Sequence, residues 1–274
     1  MNPREVVLLK NSLNAIIPIK EAAEKSDNES LKIIGEQLQN CNTLREKISK
    51  TLNSYMGDKD WYLKGSFDKA NRTSIHSDRG PGLKEGMEIM RTVKHHYPNI
   101  RIVTDIHEPS QALPLSEVVD VIQIPAFLCR QTDLLVACAK NFNVINIKKG
   151  QWLSAEAMEH AVNKIKEVDP NCEVWVTERG SQFGYDRLIV DFRGVDVMKE
   201  FADKVILDCT HSTQMAGEGI TGGNRKLAKQ YSQAAKIFEY DGVFIETHPD
   251  PENAISDSAS QVELDWLVSQ INNI

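Results

Sequence analysis

Short runs of apolar, often β-branched residues alternate with longer segments of helical periodicity from residue 60 onward. Such apolar runs are typical of strands that are buried on both faces of a parallel sheet. Apolar side chains at positions 83, 87, 90 and 93 share one helical face, and 154–168, beginning at Ser154, and 226–240 also have helical patterns. The predicted strands are 61–64, 101–105, 119–124, 144–148, 173–177, 204–208 and 242–246.

An eighth strand has to come from the first sixty residues if the alternation is to close into a barrel. The segment 13–19 (LNAIIPI) is the predicted first strand, with 6–9 as a short N-terminal arm and with helices at 28–39 and 43–55. Eight strand–helix units are typical of a (β/α)8 barrel, which uses roughly 250 residues. We therefore predict an α/β fold, a single (β/α)8 TIM barrel domain over residues 1–274. A doubly wound open sheet is the alternative.

The net charge of −7 argues against a dedicated nucleic-acid or anionic-membrane binder, which would carry a basic face. No apolar run approaches the roughly 18 residues of a membrane-spanning helix, and the first residues do not resemble a secretory signal. The five cysteines form no CxxC motif, so neither a disulfide framework nor a zinc ribbon is indicated. We expect a cytoplasmic protein with no nucleic-acid or membrane partner.

Reactive side chains follow nearly every predicted strand. A polar residue after one strand is usually a cap or a solvated loop position, but the repetition favours an active site, which barrels carry at the carboxyl ends of their strands. Five cations would converge there: Lys64, Lys69, Arg72, Lys148 and Arg179. Crowded cations repel each other unless an anion is bound, which predicts a phosphate or carboxylate-phosphate ligand. The alternative is that each cation pairs with a nearby carboxylate such as Asp68, Asp78 or Glu178.

A second group consists of His211, Glu246 and Asp257. An imidazole with two carboxylates suits a divalent cation such as manganese, iron or zinc. A hydrogen-bonded histidine beside a charged rim explains the same residues without a metal. The glycine-rich segment 217–223 (GEGITGG) is interpreted either as a lid over the barrel mouth or as a plain surface loop.

Long motifs within residues 61–260 closely resemble the 3-deoxy-D-manno-octulosonate 8-phosphate (KDO 8-phosphate) synthase family. The KANR segment at 69–72 distinguishes this family from 3-deoxy-heptulosonate 7-phosphate synthases and from sialic acid synthases. The matching motifs are KGSFDKANRTS at 64–74, RGPGL at 79–83, TDIHEP at 104–109, QIPAFLCRQTD at 123–133, NIKKGQ at 146–151, ERG at 178–180, FGY at 183–185, DCTHS at 208–212 and ETHPDP at 246–251.

The resemblance implies a (β/α)8 barrel enzyme, usually a homotetramer, that condenses phosphoenolpyruvate with arabinose 5-phosphate and releases phosphate. By the same resemblance, the residues that hold phosphoenolpyruvate are Lys64, Lys69, Gln123, Lys148 and Arg179. The residues that hold the sugar phosphate are Asn71, Arg72 and Ser74, and Asp105 lies near the sugar hydroxyls. Ala126 and Gln214 complete the substrate site. The implied catalytic residues are His211, Lys148, Glu246 and Asp257, with His211 acting at the aldehyde directly or through a metal.

The first sixty residues depart from the family pattern. In the family, the first strand ends in a Gly-Pro-Cys turn, whose cysteine binds a divalent metal, or in a Gly-x-Asn turn in the metal-independent class. Neither follows 13–19 here; Cys41 falls in a predicted helix, and Asn11 or Asn14 fits the asparagine role only in another register. Because His211, Glu246 and Asp257 match the other three metal positions, metal dependence stays open, with weak rather than tight binding expected. Action on another aldose phosphate and a catalytically silent homologue are the alternative functions.

Overall fold

A computed structural model describes residues 6–10 and 60–270, apart from 73, 78, 183–186, 216–221 and 255–256; of residues 6–10, 60 and 96 it describes the backbone only. Eight parallel strands pair in chain order, and the first also pairs with the eighth, which closes the sheet into a barrel. A short ninth strand extends the sheet beside the end of the eighth. The strands are β1 Val6–Lys10, β2 Asp60–Lys64, β3 Arg101–Asp105, β4 Val121–Ile124, β5 Val144–Lys148, β6 Glu173–Glu178, β7 Lys204–Asp208, β8 Gly242–His248 and β9 Val262–Glu263.

The closed sheet confirms the predicted (β/α)8 fold and excludes the open doubly wound alternative. The prediction for the first strand was wrong. The segment Val6–Lys10, expected only as an arm, is itself the barrel strand between β8 and β2, and its last residue is in register with Lys64 and Glu246. Segment 13–19 contains Pro18, which has no N–H for a central sheet position. That segment and the predicted helices at 28–39 and 43–55 lie outside the described residues.

Helices follow the strands and cover the outside of the barrel. The predicted helix 83–96 is observed with these bounds, whereas the predicted 154–168 begins with a 3-10 turn, at whose start Ser154 Oγ accepts a hydrogen bond from the Ala157 N–H. The α-helices are α1 Leu83–His96, α2 Ala112–Ser116, α3 Thr132–Ala139, α4 Glu159–Val168, α5 Gly194–Lys199, α6 Arg225–Ile237 and α7 Leu264–Gln270. Among the described residues, no helix is long and apolar enough to cross a membrane.

Two layers of apolar side chains hold the barrel together. The larger layer lies between the strands and the surrounding helices. The smaller layer fills the barrel interior, and Tyr62 and Trp175 meet there edge to face, with their ring centroids 5.2 Å apart. The interior layer consists of Tyr62, Val103, Val121, Trp175, Ile206 and Phe244. Because this plug occupies the lower barrel, the polar side chains that follow it on each strand are gathered at the carboxyl-terminal mouth.

Candidate active site

The carboxyl ends of the strands surround a cavity of about 470 Å³. Most of the residues expected from the sequence to contact substrates line it: Lys64, Lys69, Asn71, Asp105, Gln123, Ala126, Lys148, Arg179, His211 and Gln214. Two expected residues are absent from this lining, because Arg72 and Ser74 lie on an exposed loop outside it. Glu246 and Asp257 adjoin the cavity through hydrogen-bonded or ion-paired neighbours that line it.

A polar ladder crosses five neighbouring strands at the level of the cavity floor. The Lys64 ammonium lies 2.5 Å from Asp105 Oδ2, and the Gln123 side-chain amide donates to the other carboxylate oxygen of Asp105. The Asn146 amide donates to Gln123 Oε1 at 3.1 Å, and the Thr177 hydroxyl donates to Asn146 at 2.7 Å. The ladder exists because inward-facing positions of adjacent parallel strands lie side by side. It leaves these buried polar groups satisfied and their orientations fixed.

The Asp105 carboxylate is kept ionised by its neighbours. Burial by itself would raise the pKa of Asp105, but the Lys64 ammonium, helped by Lys69 and His107, holds that pKa well below its usual value. Ser66 supports the pair, since its hydroxyl donates to Asp105 at 2.8 Å and accepts from Lys64 at 3.2 Å. The floor therefore presents a fixed cation beside a fixed anion.

A second chain of alternating charges runs through β5, β7 and β8. The Lys148 ammonium lies 2.5 Å from Asp208 Oδ2, and Asp208 lies 2.9 Å from His211 Nδ1. The Nε2 of His211 is 3.1 Å from Glu246 Oε1. The backbone helps to hold Asp208, whose Oδ1 accepts the N–H of His211 at 2.8 Å. The imidazole is thus clamped between two buried carboxylates.

Burial and charge shift the proton affinities in this chain. Burial lowers the pKa of Lys148 to about 8 against the opposing pull of Asp208. Burial would also lower the pKa of His211, but Asp208 and Glu246 together raise it above its usual value. His211 and Lys148 in turn hold the pKa of Asp208 well below its usual value although that carboxylate is buried. The two carboxylates therefore favour the protonated form of His211.

A third connection reaches from β6 to the loop after β8. The Arg179 guanidinium donates to Gln214 Oε1 at 2.9 Å, and the Gln214 amide donates to Asp257 Oδ1 at 3.0 Å. Burial lowers the pKa of Arg179, yet an arginine stays charged in a protein. Asp257 has a φ of 53°, in the left-handed region that aspartate tolerates better than most residues.

Three potential metal ligands lie together at one side of the mouth. Donor atoms of His211, Glu246 and Asp257 all lie within 4.8 Å of one another. One imidazole and two carboxylates suit manganese, iron or zinc, and Asp208 provides the carboxylate that commonly orients a ligating histidine through its other nitrogen. The residues present therefore fit a divalent ion that is completed by water. The candidates for a fourth ligand, Asn11, Asn14 and Cys41, lie outside the described residues.

The alternative prediction, that each cation pairs with a carboxylate nearby in the sequence, holds for only some of the cations. Asp68 pairs with Arg79, and Glu178 pairs with Lys149, at 2.5 and 3.4 Å. Lys149 does not line the cavity, and its ammonium donates to the Leu153 carbonyl and to the Ser181 hydroxyl instead. The mouth cations Lys64 and Lys148 pair instead with Asp105 and Asp208, which are distant in sequence. Asp78 lies outside the described residues.

Several members of the site were not singled out from the sequence. Asn146 and Thr177 belong to the floor ladder, and Asp208 joins Lys148 to His211. A signal existed for Asn146, because a buried polar residue two positions before Lys148 faces the same side of β5. For Asp208, the sequence showed only a strand-end carboxylate and no indication of its partner.

Most of the chain, including the residues of this site, matches known proteins. Residues 42–272 match the DAHP synthetase I family. A Campylobacter jejuni subsp. doylei protein named 2-dehydro-3-deoxyphosphooctonate aldolase is 46% identical over 242 residues, which cover 83% of this chain and 90% of that protein. A Helicobacter pylori protein of the same name is 43% identical over 256 residues, covering 87% and 91%. A third, from Helicobacter hepaticus, is 46% identical over 227 residues, covering 78% and 83%.

Proposed function

The chain belongs to the DAHP synthetase I family, and we propose that it condenses phosphoenolpyruvate with D-arabinose 5-phosphate and water. The products are 3-deoxy-D-manno-octulosonate 8-phosphate and inorganic phosphate. Its relatives share the name 2-dehydro-3-deoxyphosphooctonate aldolase, which denotes this carbon–carbon bond-forming transferase of lipopolysaccharide biosynthesis. That shared name favours neither another aldose phosphate nor a catalytically silent homologue.

One observation carries the proposal: the buried cations Lys64, Lys148 and Arg179 converge on one cavity at the carboxyl end of a closed barrel. Each costs free energy to bury; Asp105 and Asp208 offset part of that cost for the two lysines, and a bound multiply charged anion offsets more of it. Arginine binds carboxylate and phosphate oxygens in a bidentate way, and lysine acts as a point charge. Phosphoenolpyruvate carries both kinds of anion on a small frame.

In this proposal, phosphoenolpyruvate occupies the floor of the cavity. Its phosphate and carboxylate meet Lys148, Arg179 and Lys69, while Lys64 and Gln123 bind it from β2 and β4. Ala126 sits at the start of the 3-10 turn after β4 and packs beside it. The floor ladder keeps Lys64 and Gln123 oriented before the substrate arrives, which reduces the entropic cost of binding.

The aldose phosphate enters from the rim. Asn71 lines the cavity, whereas Arg72 and Ser74 lie on the exposed loop that follows it. We assign the sugar phosphate to these three residues and the sugar hydroxyls to the Asp105 carboxylate. With its phosphate held at the rim, the aldehyde end of the sugar points toward the floor, where the enol carbon lies.

The reaction joins the methylene carbon of phosphoenolpyruvate to the aldehyde carbon. Negative charge develops on the aldehyde oxygen, and positive charge develops on the former enol carbon. In its protonated form, which Asp208 and Glu246 favour, His211 delivers the proton that this oxygen needs, and the Lys148 ammonium helps to stabilise the oxygen. Water then adds to the cationic carbon, and the resulting hemiketal phosphate breaks its carbon–oxygen bond to release inorganic phosphate.

A divalent ion held by His211, Glu246 and Asp257 would instead supply Lewis-acid stabilisation of the developing oxyanion, because a ligating imidazole is neutral and has no proton to deliver. Asp208 acts in either case by orienting the His211 ring through Nδ1. Gln214 holds the Asp257 carboxylate and the Arg179 guanidinium in fixed relative positions.

The proposed function is tested by mixing the purified protein with phosphoenolpyruvate and a panel of aldose phosphates, with manganese and separately with a chelator. We expect loss of phosphoenolpyruvate with arabinose 5-phosphate in at least one of the two conditions. Turnover with a different aldose phosphate alone would correct the substrate. Binding of phosphoenolpyruvate without any turnover would identify a silent homologue.

The family resemblance also supports a homotetramer in the cytoplasm as part of this proposal. Light scattering on the eluting protein measures the oligomer, and fractionation of the source cell measures the location. A monomer, or recovery with the cell envelope, would contradict the respective part without affecting the proposed reaction.

A further inference from the structure

The aromatic ring of Phe244 lies directly beneath the charged groups of the mouth. Phe244 is fully buried on β8, and the Nζ atom of Lys148 lies 3.8 Å from the centroid of its ring. The Nζ atom of Lys64 is 5.8 Å from the same centroid, and the His211 ring is 5.3 Å away. One ring is therefore shared by three groups of the proposed site.

The apolar surroundings of the Lys148 ammonium give its contact with the Phe244 ring a role in stabilising the charge. Below Phe244 the barrel is filled by Val103, Val121, Ile206 and the Tyr62–Trp175 pair, so the Lys148 ammonium rests on an apolar plug. An ammonium that loses water on one side needs a compensating interaction there. The negative face of an aromatic ring supplies it, and desolvation strengthens the attraction. An aliphatic side chain of similar size would fill the same space without this attraction.

We infer that Phe244 is a positioning residue whose π face holds the Lys148 ammonium charged and in place for an anionic substrate. The identity of that substrate rests on the proposed function, but the role of the ring does not. Phe244 does not touch the reacting atoms in this assignment and acts through Lys148.

Several charged groups around Lys148 act on its protonation, together with the Phe244 ring. Asp208 of β7 favours its charged form, while Lys64 of β2 and Arg179 after β6 oppose it. His211, and through it Glu246 of β8, acts on Lys148 by way of Asp208. Because burial lowers the pKa of Lys148 to about 8, a weaker attraction from the ring changes the charged fraction near that pH.

The test replaces Phe244 with phenylalanines carrying one, two and three ring fluorines, introduced at that position alone. Fluorine withdraws electrons and weakens the π face while the shape of the ring is nearly kept. Binding of inorganic phosphate is measured by calorimetry from about pH 7 to about pH 9, a range that spans the lowered lysine pKa. The titration of phosphate itself is common to all variants and cancels in the comparison.

We expect affinity at pH 8 to fall stepwise with fluorination, reaching about tenfold for the trifluorinated ring, and the alkaline loss of binding to move to lower pH. The same fluorination at Phe142, a buried ring of the outer core, is the control and should change affinity less than about twofold. Phe244→Leu should weaken binding at least as much as three fluorines.

Equal phosphate affinity across the fluorinated series would overturn the inference, as would a wild-type protein that binds no phosphate. Turnover of the wild-type protein with phosphoenolpyruvate and arabinose 5-phosphate is measured separately. A fluorine effect without turnover keeps the inference and removes the proposed function, whereas turnover without a fluorine effect does the reverse.

Discussion

The ammonium of Lys148 and the carboxylate of Asp208 form an ion pair of 2.5 Å, and both side chains are almost wholly buried. They come from β5 and β7 and meet across the mouth, so β6 lies between their strands. A pair of this kind is poor evidence of stabilisation, because desolvation consumes most of the attraction. Its value here is positional, since Oδ2 of Asp208 contacts both the Lys148 ammonium and His211 Nδ1, while Oδ1 accepts the His211 N–H.

Breaking that pair should therefore cost both stability and function. For Asp208→Asn we expect the free energy of unfolding to fall by about 3 kcal/mol, since the Lys148 ammonium is left buried without its partner. Urea denaturation measures this loss. The double variant Asp208→Asn with Lys148→Met should recover part of it, because both charges are then gone. No recovery would show that Asp208 stabilises the fold through its backbone contacts instead.

The lowered pKa of Lys148 predicts an alkaline limit to activity. Because the folded-state pKa is about 8 rather than the usual 10.5, the substrate-binding charge is lost as the pH rises through about 8. We expect kcat/KM for phosphoenolpyruvate to fall above that pH. The arginine of Lys148→Arg keeps its charge over this whole pH range. The activity that this variant retains should therefore show no fall above about pH 8. The same alkaline fall of kcat/KM in both proteins would show that another group titrates there.

The loop after β2 should distinguish the two substrates. Arg72→Ala is expected to raise the KM for arabinose 5-phosphate by about thirtyfold, the value of a lost charged hydrogen bond, with a change of less than about twofold for phosphoenolpyruvate. Arg193, an exposed arginine paired with Asp191, provides the control substitution to alanine. Equal losses for both substrates would contradict the assignment of the sugar phosphate to this loop.

The ion pair of Asp105 predicts a sensitivity to acid. Its folded-state pKa is depressed, so its contribution to stability is complete above the unfolded value near 3.8 and is lost as the pH falls below it. Compared with wild type, Asp105→Asn should show a flatter dependence of unfolding free energy on pH below about pH 4. Asp265→Asn, on the exposed first turn of α7, should leave the wild-type slope unchanged.

The three potential ligands predict weak, exchangeable binding of a divalent ion. We expect one Mn²⁺ per chain, detected by the loss of the free-ion paramagnetic resonance signal, and its full removal by a chelator. Asp257→Asn should weaken this binding without changing the unfolding midpoint. An ion that resists the chelator would indicate a fourth protein ligand from the residues before β2.

The barrel was predictable from the sequence because the apolar runs that form β2 to β8 suit strands buried on both faces, and helical patterns lie between most of them. Segments 101–105, 144–148 and 204–208 were predicted with the bounds observed. The prediction of the first strand was wrong because the apolar run 13–19 is longer than the five residues of β1 and was chosen for that reason. The cations at the mouth were also predictable, since a barrel carries its active site at the carboxyl ends of its strands.

Pairing across the barrel was not predictable. Lys148 and Asp208 lie 60 positions apart in the chain, and only the curvature of the sheet brings them together. The same is true of Phe244 and Lys148, whose contact depends on the depth of each side chain in the barrel. Sequence patterns record which face a residue occupies, but they do not record its height relative to a distant strand.

The most direct test follows the bridging oxygen of phosphoenolpyruvate labelled with ¹⁸O between carbon and phosphorus. Incubation with arabinose 5-phosphate should release inorganic phosphate that carries the label, because the hemiketal phosphate breaks its carbon–oxygen bond. Release should also require arabinose 5-phosphate. Phosphate released without the sugar would contradict the condensation, and label retained in the carbon product would contradict the addition of water to the former enol carbon.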